Sequence, residues 1–476
     1  MLNFQDIAKI TVEAVQENQE DEASSPIRRR KTKKELRNEE VSQHVQDLID
    51  TTSFHGISYI FDKRHPIRRV IWFFITTSAF IYSMLKVYES TVEHFSYPFS
   101  TARMRQYVDS IDFPAVSFCN VNDMRMSVLN GTNVDQAVLS GEASGVNGTE
   151  YVRLKRLSAH EIDEMLIDCE FDGQKCSTKN FTQFYAKQGD QCYSFNSGKP
   201  GHPLQTVSGP GKRRSLILTL DIQHYDYYRG GLKGGIHLIL HGQGETPVRM
   251  RGEMISPGYS TYIQVEKKKI INLKPPFKTK CGSLKLKHFS QYSKSTCWLE
   301  QLTNYVTEKC NCKDAFMPGD FRVCSFEESA LCMWMNWEHF DNKKLYNCPL
   351  SCEIDSYSGK TISRSLFPTE QYAKVLKEKL KNEKHLQKVD MGDATKFMRD
   401  NLLRVVIYYD NMSYELLEQV PSYDTLEWLG DVGGQIGLFI GAGAMSYFEV
   451  IDALALVVFA RFFKRFTDED LDDYEA

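Results

Sequence analysis

Val70-Ile-Trp-Phe-Phe-Ile-Thr-Thr-Ser-Ala-Phe-Ile-Tyr-Ser-Met-Leu85 is the first long apolar run in the chain, and it carries no charge. With Ile67 ahead of it and Val87-Tyr88 behind, it reaches about 20 residues, the length a helix needs to cross a bilayer. Lys63, Arg64, His65, Arg68 and Arg69 precede it, while Glu89 and Glu93 follow. That asymmetry assigns the N-terminal side to the cytosol and speaks against a helix buried in a soluble core. A second run, Val432 to Phe463, is interrupted by Glu449 and Asp452 and followed by Arg461, Lys464 and Arg465. Basic residues again mark a cytosolic end. Both termini are expected inside a plasma-membrane protein, with the residues between the two spans outside.

The rest of the chain agrees with that topology. Met1 to Glu22 is too polar for a signal peptide. All twelve cysteines lie between Cys119 and Cys352, as an oxidising middle region between two reducing ends requires. The glycosylation acceptors Asn130-Gly-Thr, Asn147-Gly-Thr, Asn180-Phe-Thr and Asn411-Met-Ser fall outside the spans as well. A net charge of -4 with well-mixed signs gives no footprint for nucleic acid. Arg28-Arg-Arg-Lys-Thr-Lys-Lys34 reads as a solvated charge run, with anionic lipid as the alternative contact. The mean hydropathy of -0.41 excludes a many-span protein.

Ionisable groups inside a span usually face protein or water. Glu449 and Asp452 are three residues apart and share one helix face, so an oligomer would repeat them as a ring of negative charge in a cation pathway. The alternative is an interfacial position or a pair with Arg461. Gly433, Gly437 and Gly441 recur every fourth residue and form a smooth stripe suited to close helix crossing. Gly441-Ala442-Gly443 then weakens the helix, and backbone carbonyls freed there would be available to an ion. One two-span chain cannot enclose a pore, so a closed cyclic oligomer is required.

Leu429-Gly-Asp-Val-Gly-Gly-Gln-Ile-Gly-Leu-Phe-Ile-Gly-Ala442 resembles the pre-pore and pore signature of the degenerin/epithelial sodium channel superfamily, nearest its acid-sensing and peptide-gated branches. His55-Gly56 resembles the family's cytosolic His-Gly motif. Phe113-Pro-Ala-Val-Ser-Phe-Cys-Asn120, Cys192-Tyr-Ser-Phe-Asn196, Cys310-Asn-Cys-Lys313 and Met317-Pro-Gly-Asp320 extend the likeness from His55 to Asp452. The resemblance implies an amiloride-sensitive cation channel, trimeric, built from two transmembrane helices and a large α+β disulfide-rich ectodomain. That ectodomain would be hand-like, with palm, knuckle, finger, ball and thumb. The implied organisation is a cytoplasmic region 1–66, a first span 67–90, an ectodomain 91–425 with its Cys-rich thumb at 281–352, a second span 426–463 and an acidic tail 464–476.

The resemblance also implies roles for particular residues. The disulfides would be Cys119–Cys192, Cys169–Cys176, Cys281–Cys352, Cys297–Cys348, Cys310–Cys332 and Cys312–Cys324. A further thumb bridge of the acid-sensing relatives falls here at Gln301 and Tyr346, both halves being absent together. Zinc at Cys310-x-Cys312 is the rival, with poor ligand spacing. Gly437, Gly441, Ala442, Gly443, Glu449 and Asp452 would line the pore, with no cofactor. His55, Gly56, Gly430, Asp431, Tyr97 and Phe277 would serve gating, the last two as aromatic partners.

Three features depart from the family pattern. Gly443 stands where a serine is usual, which weakens sodium selectivity and admits calcium as a permeant ion. Phe95-Ser-Tyr-Pro-Phe-Ser100 lacks the histidine that acid-sensing relatives carry after the first span. Tyr225-Asp-Tyr-Tyr-Arg-Gly-Gly231 lacks their acidic cluster. An extracellular peptide agonist is therefore expected ahead of protons. An anchored ectoenzyme is disfavoured by the lack of HExxH, G-x-S-x-G and P-loop motifs, and an ATP-gated receptor by the pore signature.

Overall fold

The computed structural model describes residues 32–62, 64–140, 148–186, 190–229, 233–245, 247, 252–289, 291–381, 383, 385–387 and 389–464. The Met1–Glu22 stretch, residues 28–31 of the basic run, the Asn147 acceptor, Gly230-Gly231 and the tail from Thr467 lie outside them. The chain forms two compact units, Met1–Pro98 with Tyr423–Ala476, and Phe99–Ser422.

The described part of the first unit is helical. Pro66 opens a helix, where its missing N–H costs nothing, and the helix runs to Phe95. It passes the expected end at residue 90 because no glycine or proline occurs from Ile67 to Tyr97. Only 6% of its 18-residue apolar window is buried, so it is not the core helix of a soluble fold. Thr425–Ile440 and Ala444–Phe463 are long and apolar enough to cross a membrane only when taken together, and they meet at a 63° bend. The helix expected over 426–463 is broken where the sequence weakens it, because Gly441 adopts φ +79°, a left-handed conformation that ends a helix.

Nothing in the apolar pattern predicts the Lys33–Thr51 helix; its cap does. Thr32 N–H donates to the Glu35 carboxylate at 2.7 Å, and Glu35 N–H donates to the Thr32 hydroxyl at 3.3 Å. This reciprocal pair is the capping box spelled by Thr32-Lys-Lys-Glu35. The helix is tied to the far end of the chain: Arg37 donates to the Lys464 carbonyl at 3.0 Å, and Lys464 pairs with Glu40 at 2.5 Å.

The second unit is strand-rich. In chain order its strands are β1 (Phe99–Tyr107), β2 (Ile111–Asp112), β3 (Ala115–Asn120), β4 (Leu166–Phe171), β5 (Gln174–Lys175), β6 (Phe181–Tyr185), β7 (Gln191–Phe195), β8 (Thr206–Val207), β9 (Leu216–Asp221), β10 (Ile236–His241), β11 (Glu253–Ile255), β12 (Tyr259–Ile271), β13 (Glu353–Leu366), β14 (Leu402–Tyr408) and β15 (Ser413–Pro421). The larger sheet is ordered β1-β15-β12-β14-β9-β4-β5, with β13 alongside β12. The smaller is β11-β10-β3-β7-β6, and β2 pairs with β8. β12 organises the larger sheet, since Ser260–Gln264 runs parallel to β14 and Lys268–Ile271 parallel to β15.

Alternating apolar residues predict strands at Ser215–Ile222, Gly235–Leu240 and Arg404–Tyr409. Strands form at all three. β9 and β14 are antiparallel neighbours, from Leu402↔Asp221 to Ile407↔Leu216. β10 instead lies beside β3 in the smaller sheet, so the three are not one set. Period-two alternation marks a strand without naming its neighbour. The sheets share one core, where Phe118, Phe195 and Ile236 meet Leu218, Val405 and Ile407, none more than 3% exposed.

A charge-dense helix is expected over Gln371–Val389, and the helix found is Glu370–Leu380. It stops early because Leu386, 2% exposed, turns back into a core with Leu376 and Leu380, through bonds such as Leu386 N–H to the Glu383 carbonyl at 3.0 Å.

Six disulfides close, all within this unit: Cys119–Cys192, Cys169–Cys176, Cys281–Cys352, Cys297–Cys348, Cys310–Cys332 and Cys312–Cys324. Cys310 and Cys312 are both bonded, which removes the zinc alternative. Around the last three bridges, Trp298, Leu302, Val306, Met333 and Phe340 build a separate small core. Gln301 sits where a further bridge is absent. Its amide donates to the Asn347 carbonyl at 3.2 Å and accepts from the Asn347 N–H at 3.0 Å.

Candidate functional site

The candidate pore segment is positioned by the two helices it joins. Asp424 starts the first by accepting the Glu427 N–H at 2.7 Å, an acidic N-cap suited to the helix dipole. Gly441 ends it, its N–H reaching the Gly437 carbonyl at 3.0 Å. Ala442 is buried, and Gly443 is extended at φ -101° before the second helix begins. Gly443 N–H donates to the Ser446 hydroxyl at 3.1 Å. Among the described residues, no hydrogen bond is donated to the carbonyls of Gly441 or Ala442. Two backbone oxygens are thus available where the helix breaks.

The His-Gly motif lies against this break. His55 N–H donates to the Ile440 carbonyl at 2.8 Å, satisfying an acceptor that the broken helix leaves open. A Cβ on Gly441 would stand 2.6 Å from the Ser53 carbonyl oxygen and 2.7 Å from His55 Cδ2, so glycine is demanded by space as well as by φ. Gly56 is also left-handed, at φ +84°, and a Cβ there would run into the Thr76 hydroxyl. Ser53 continues the contact: its hydroxyl lies 2.5 Å from that of Ser446 and donates to the Glu449 carboxylate at 3.3 Å. The structure therefore joins His55 and Ser53 to Gly441 and Glu449, groups that are remote in sequence, while Gly56 packs against Thr76 and Trp72 instead. Ser53 and Ser446 carry no motif that sequence reading could use.

Glu449 is half-buried and Asp452 is exposed; among the described residues neither forms an ion pair, with Arg461 or otherwise. The glycine stripe does not serve a crossing within the chain. A Cβ on Gly430, Gly433, Gly434 or Gly437 would meet nothing within 4 Å. The crossing of the Pro66–Phe95 and Thr425–Ile440 helices uses other residues. Tyr82 meets Phe439 edge-on at 5.0 Å, Ser83 approaches the Gln435 carbonyl at 3.4 Å, and His94 stacks on Trp428 at 5.2 Å.

Beside Gly430, Asp431 accepts the Tyr423 hydroxyl at 2.7 Å. Tyr97 follows the first helix at φ +50°. In the other unit, Phe277 sits in the turn after β12, its N–H toward the Lys274 carbonyl at 3.3 Å.

Two groups of ionisable residues in the strand-rich unit escape sequence reading because their members are scattered along the chain. Lys155 holds Asp123 at 3.2 Å and Asp190 at 3.4 Å. Burial pushes the Asp190 carboxyl up to about 6 against the pull of Lys155. Burial also raises Asp314 nearby. At the end of β9, Asp221 is 1% exposed and accepts the Gln223 N–H at 2.7 Å, with His385 at 3.9 Å. Burial pushes its carboxyl up to about 7, the usual response to a low-dielectric site. Asn130, Asn180 and Asn411 are exposed. Among the described residues no cluster of His, Cys, Asp or Glu is arranged to hold a metal.

The chain thus carries a strand-rich, six-disulfide unit together with an exposed apolar helix and a glycine-broken second one. The sequence matches the amiloride-sensitive sodium channel family over residues 48–151 and 142–453, and the chain belongs to that family. It is 28% identical over 452 residues to acid-sensing ion channel 1C of Danio rerio, covering 86% of this chain and 83% of that one. To acid-sensing ion channel 2 of Homo sapiens it is 28% identical over 452 residues, covering 86% and 85%. The bile acid-sensitive ion channel of Homo sapiens is 27% identical over 443 residues, covering 86% and 85%. Family and relatives are ion channels, so the chain is a channel protein and not an enzyme.

Proposed function

We propose that three copies of this chain, or this chain with related subunits, enclose a sodium-permeable pathway in the plasma membrane. Both termini are cytoplasmic and the strand-rich unit is extracellular, with the hand-like division and a thumb at 281–352. The observation that carries the reading is the break at Gly441–Gly443, which leaves two carbonyls without a donor among the described residues and is braced by His55. A filter needs such oxygens held in place and facing water or protein. Glu449 and Asp452 on the following helix concentrate cations at the cytoplasmic side. Calcium is the alternative permeant ion, since Gly443 offers no hydroxyl. Tyr97 and Phe277 transmit motion of the extracellular unit, and Gly430 with Asp431 sets the closed state. Gly430, Gly433, Gly434 and Gly437 meet nothing in the described part of their own chain, which suits close contact with a neighbouring subunit.

The expected opening stimulus is an extracellular peptide, because the acidic segments of acid-sensing relatives are missing. A second reading is favoured by the buried carboxyls of Asp190 and Asp221, which burial pushes up to about 6 and about 7, and several relatives are named for acid sensing. Protons would then open the channel through different carboxylates. Voltage clamp of cells expressing the chain tests both. Current evoked by amidated peptides at constant pH supports the first reading, and current from acid alone the second. Reversal potentials that ignore external sodium and calcium would reject the pore assignment.

A further inference from the structure

We propose that the segment from Lys274 to Lys287, which leads from β12 toward the Lys294–Cys310 helix, is a docking surface for a sulfated polysaccharide. The choice of partner depends on the extracellular placement of the strand-rich unit proposed above; the basic surface itself does not.

From Lys267 to Leu299 the chain carries nine lysines and neither aspartate nor glutamate. The lysines of β12 are answered by carboxylates of other strands and loops. Lys267 meets Asp112 at 2.8 Å and Asp355 at 3.5 Å, Lys268 meets Glu415 at 3.2 Å, and Lys269 meets Glu353 at 3.7 Å. The segment that follows has no such partners. Lys274, Lys278, Lys280, Lys285 and Lys287 are all exposed, and among the described residues none of their side chains forms an ion pair. Glu300, the first carboxylate after the run, is buried and turned to the backbone, where it accepts the N–H groups of Lys287 and His288 at 2.8 Å.

Unanswered like charge repels itself, and a free solvated run would spread to relieve that repulsion. This backbone cannot. Asn272 N–H donates to the Cys352 carbonyl at 2.7 Å, and Gly282 N–H donates to the Leu350 carbonyl at 2.8 Å. Leu273 N–H and the Thr279 hydroxyl both donate to the Gln419 side-chain oxygen, at 3.0 and 2.8 Å. The Cys281–Cys352 disulfide pins the middle. The five amines are thus carried on a preorganised surface, which lowers the ordering cost of binding.

The composition of the segment selects the ligand. It holds no arginine, the side chain suited to a bidentate grip on one carboxylate or phosphate, whereas lysines act as point charges. Spread along the segment, they fit a chain of repeated anions rather than a single group. Leu284 is the one large apolar side chain exposed there, so a protein partner would find no apolar centre to bury. Nucleic acid and the anionic lipid of the cytoplasmic leaflet lie on the other side of the membrane. The repeated anion that remains is a sulfated polysaccharide, a known partner of lysine-rich patches.

Amine footprinting of the unmodified chain tests the proposal. Intact cells expressing it, stripped of their own glycosaminoglycans by lyases, are acetylated with a membrane-impermeant reagent, with and without a heparin oligosaccharide. Mass spectrometry then reads each lysine. Heparin should lower labelling of Lys274, Lys278, Lys280, Lys285 and Lys287 at least threefold, and leave Lys309 and Lys396, exposed elsewhere in the unit, unchanged. The half-protecting concentration should rise at least tenfold between about 50 mM and about 200 mM salt, as counterion release from a polyanion demands. The same oligosaccharide stripped of sulfate should protect at least tenfold less well. Equal protection by the desulfated sugar would overturn the proposal, and so would no protection, or protection spread evenly over the exposed lysines of the unit. Labelling of the five lysines only after the cells are permeabilised would instead overturn the extracellular placement, and the partner with it.

Discussion

The backbone N–H of His55 donates to the Ile440 carbonyl across 2.8 Å, so a loop ahead of the Pro66–Phe95 helix holds the broken end of the Thr425–Ile440 helix. That bond, with the Ser53 contacts to Ser446 and Glu449, makes the break in the helix a supported structure rather than a frayed one. It also brings Gly441 so close to the loop that any side chain there is excluded.

Gly441→Ala should therefore abolish current, and surface delivery should fall with it. A non-glycine residue in the left-handed region costs about 1–2 kcal/mol, and the methyl would also collide with the Ser53 carbonyl. Gly443→Ala, at an extended position with nothing within 4 Å, should retain surface delivery. Surface biotinylation with whole-cell recording separates the two. Wild-type current in Gly441→Ala would refute the packing argument.

Gly443→Ser should fold at least as well as the parent. The new side chain meets open space, and serine is a better N-cap than glycine by a few tenths of a kcal/mol. Under the filter reading it should raise the sodium-to-calcium permeability ratio. Bi-ionic reversal potentials give the answer, and an unchanged ratio would remove Gly443 from the filter.

Acidity should stabilise the strand-rich unit through Asp221. Its folded pKa, about 7, lies above the usual carboxylate value, so the folded state keeps a proton that the unfolded chain releases. The stabilisation is complete below about pH 4 and is lost as pH rises through about 7. The unfolding free energy should thus fall across that window in the parent, by an amount on the order of a few kcal/mol, and the unfolding midpoint should fall with it. Asp221→Asn should flatten this slope, and identical slopes would show that Asp221 titrates normally.

Gln301→Ala should lower thermal stability by about 1 kcal/mol, the net worth of a hydrogen-bonded clasp. Its two bonds to Asn347 join the helix to the segment that a disulfide joins in relatives. Differential scanning of the purified chain measures the change. No change would mean that the neighbouring Cys297–Cys348 bridge holds the segment by itself.

What the sequence discloses follows from how local each cause is. The Pro66–Phe95 helix and the strands at 216–221, 236–241 and 402–408 rest on patterns within one segment, and they are legible. The break at Gly441 is legible in kind, since two glycines in three residues weaken a helix. Its brace is not, because Ser53 and His55 reach it only through the tertiary fold. The Asp123–Lys155–Asp190 cluster is hidden for the same reason, its members coming from three separate segments. Disulfide pairing is likewise beyond spacing alone; here the family resemblance supplies what the residues cannot.

The glycine face of the Thr425–Ile440 helix, open at Gly430, Gly433 and Gly437, has a consequence for the life of the protein in the cell. In the proposed trimer a neighbouring copy covers this face, so a solitary copy leaves it unfilled by its own side chains and should be retained by quality control in the secretory pathway. Abundance at the surface should then track the scarcest subunit. A fragment that keeps this helix and lacks the strand-rich unit should act as a dominant poison, drawing intact copies into assemblies that never leave the endoplasmic reticulum.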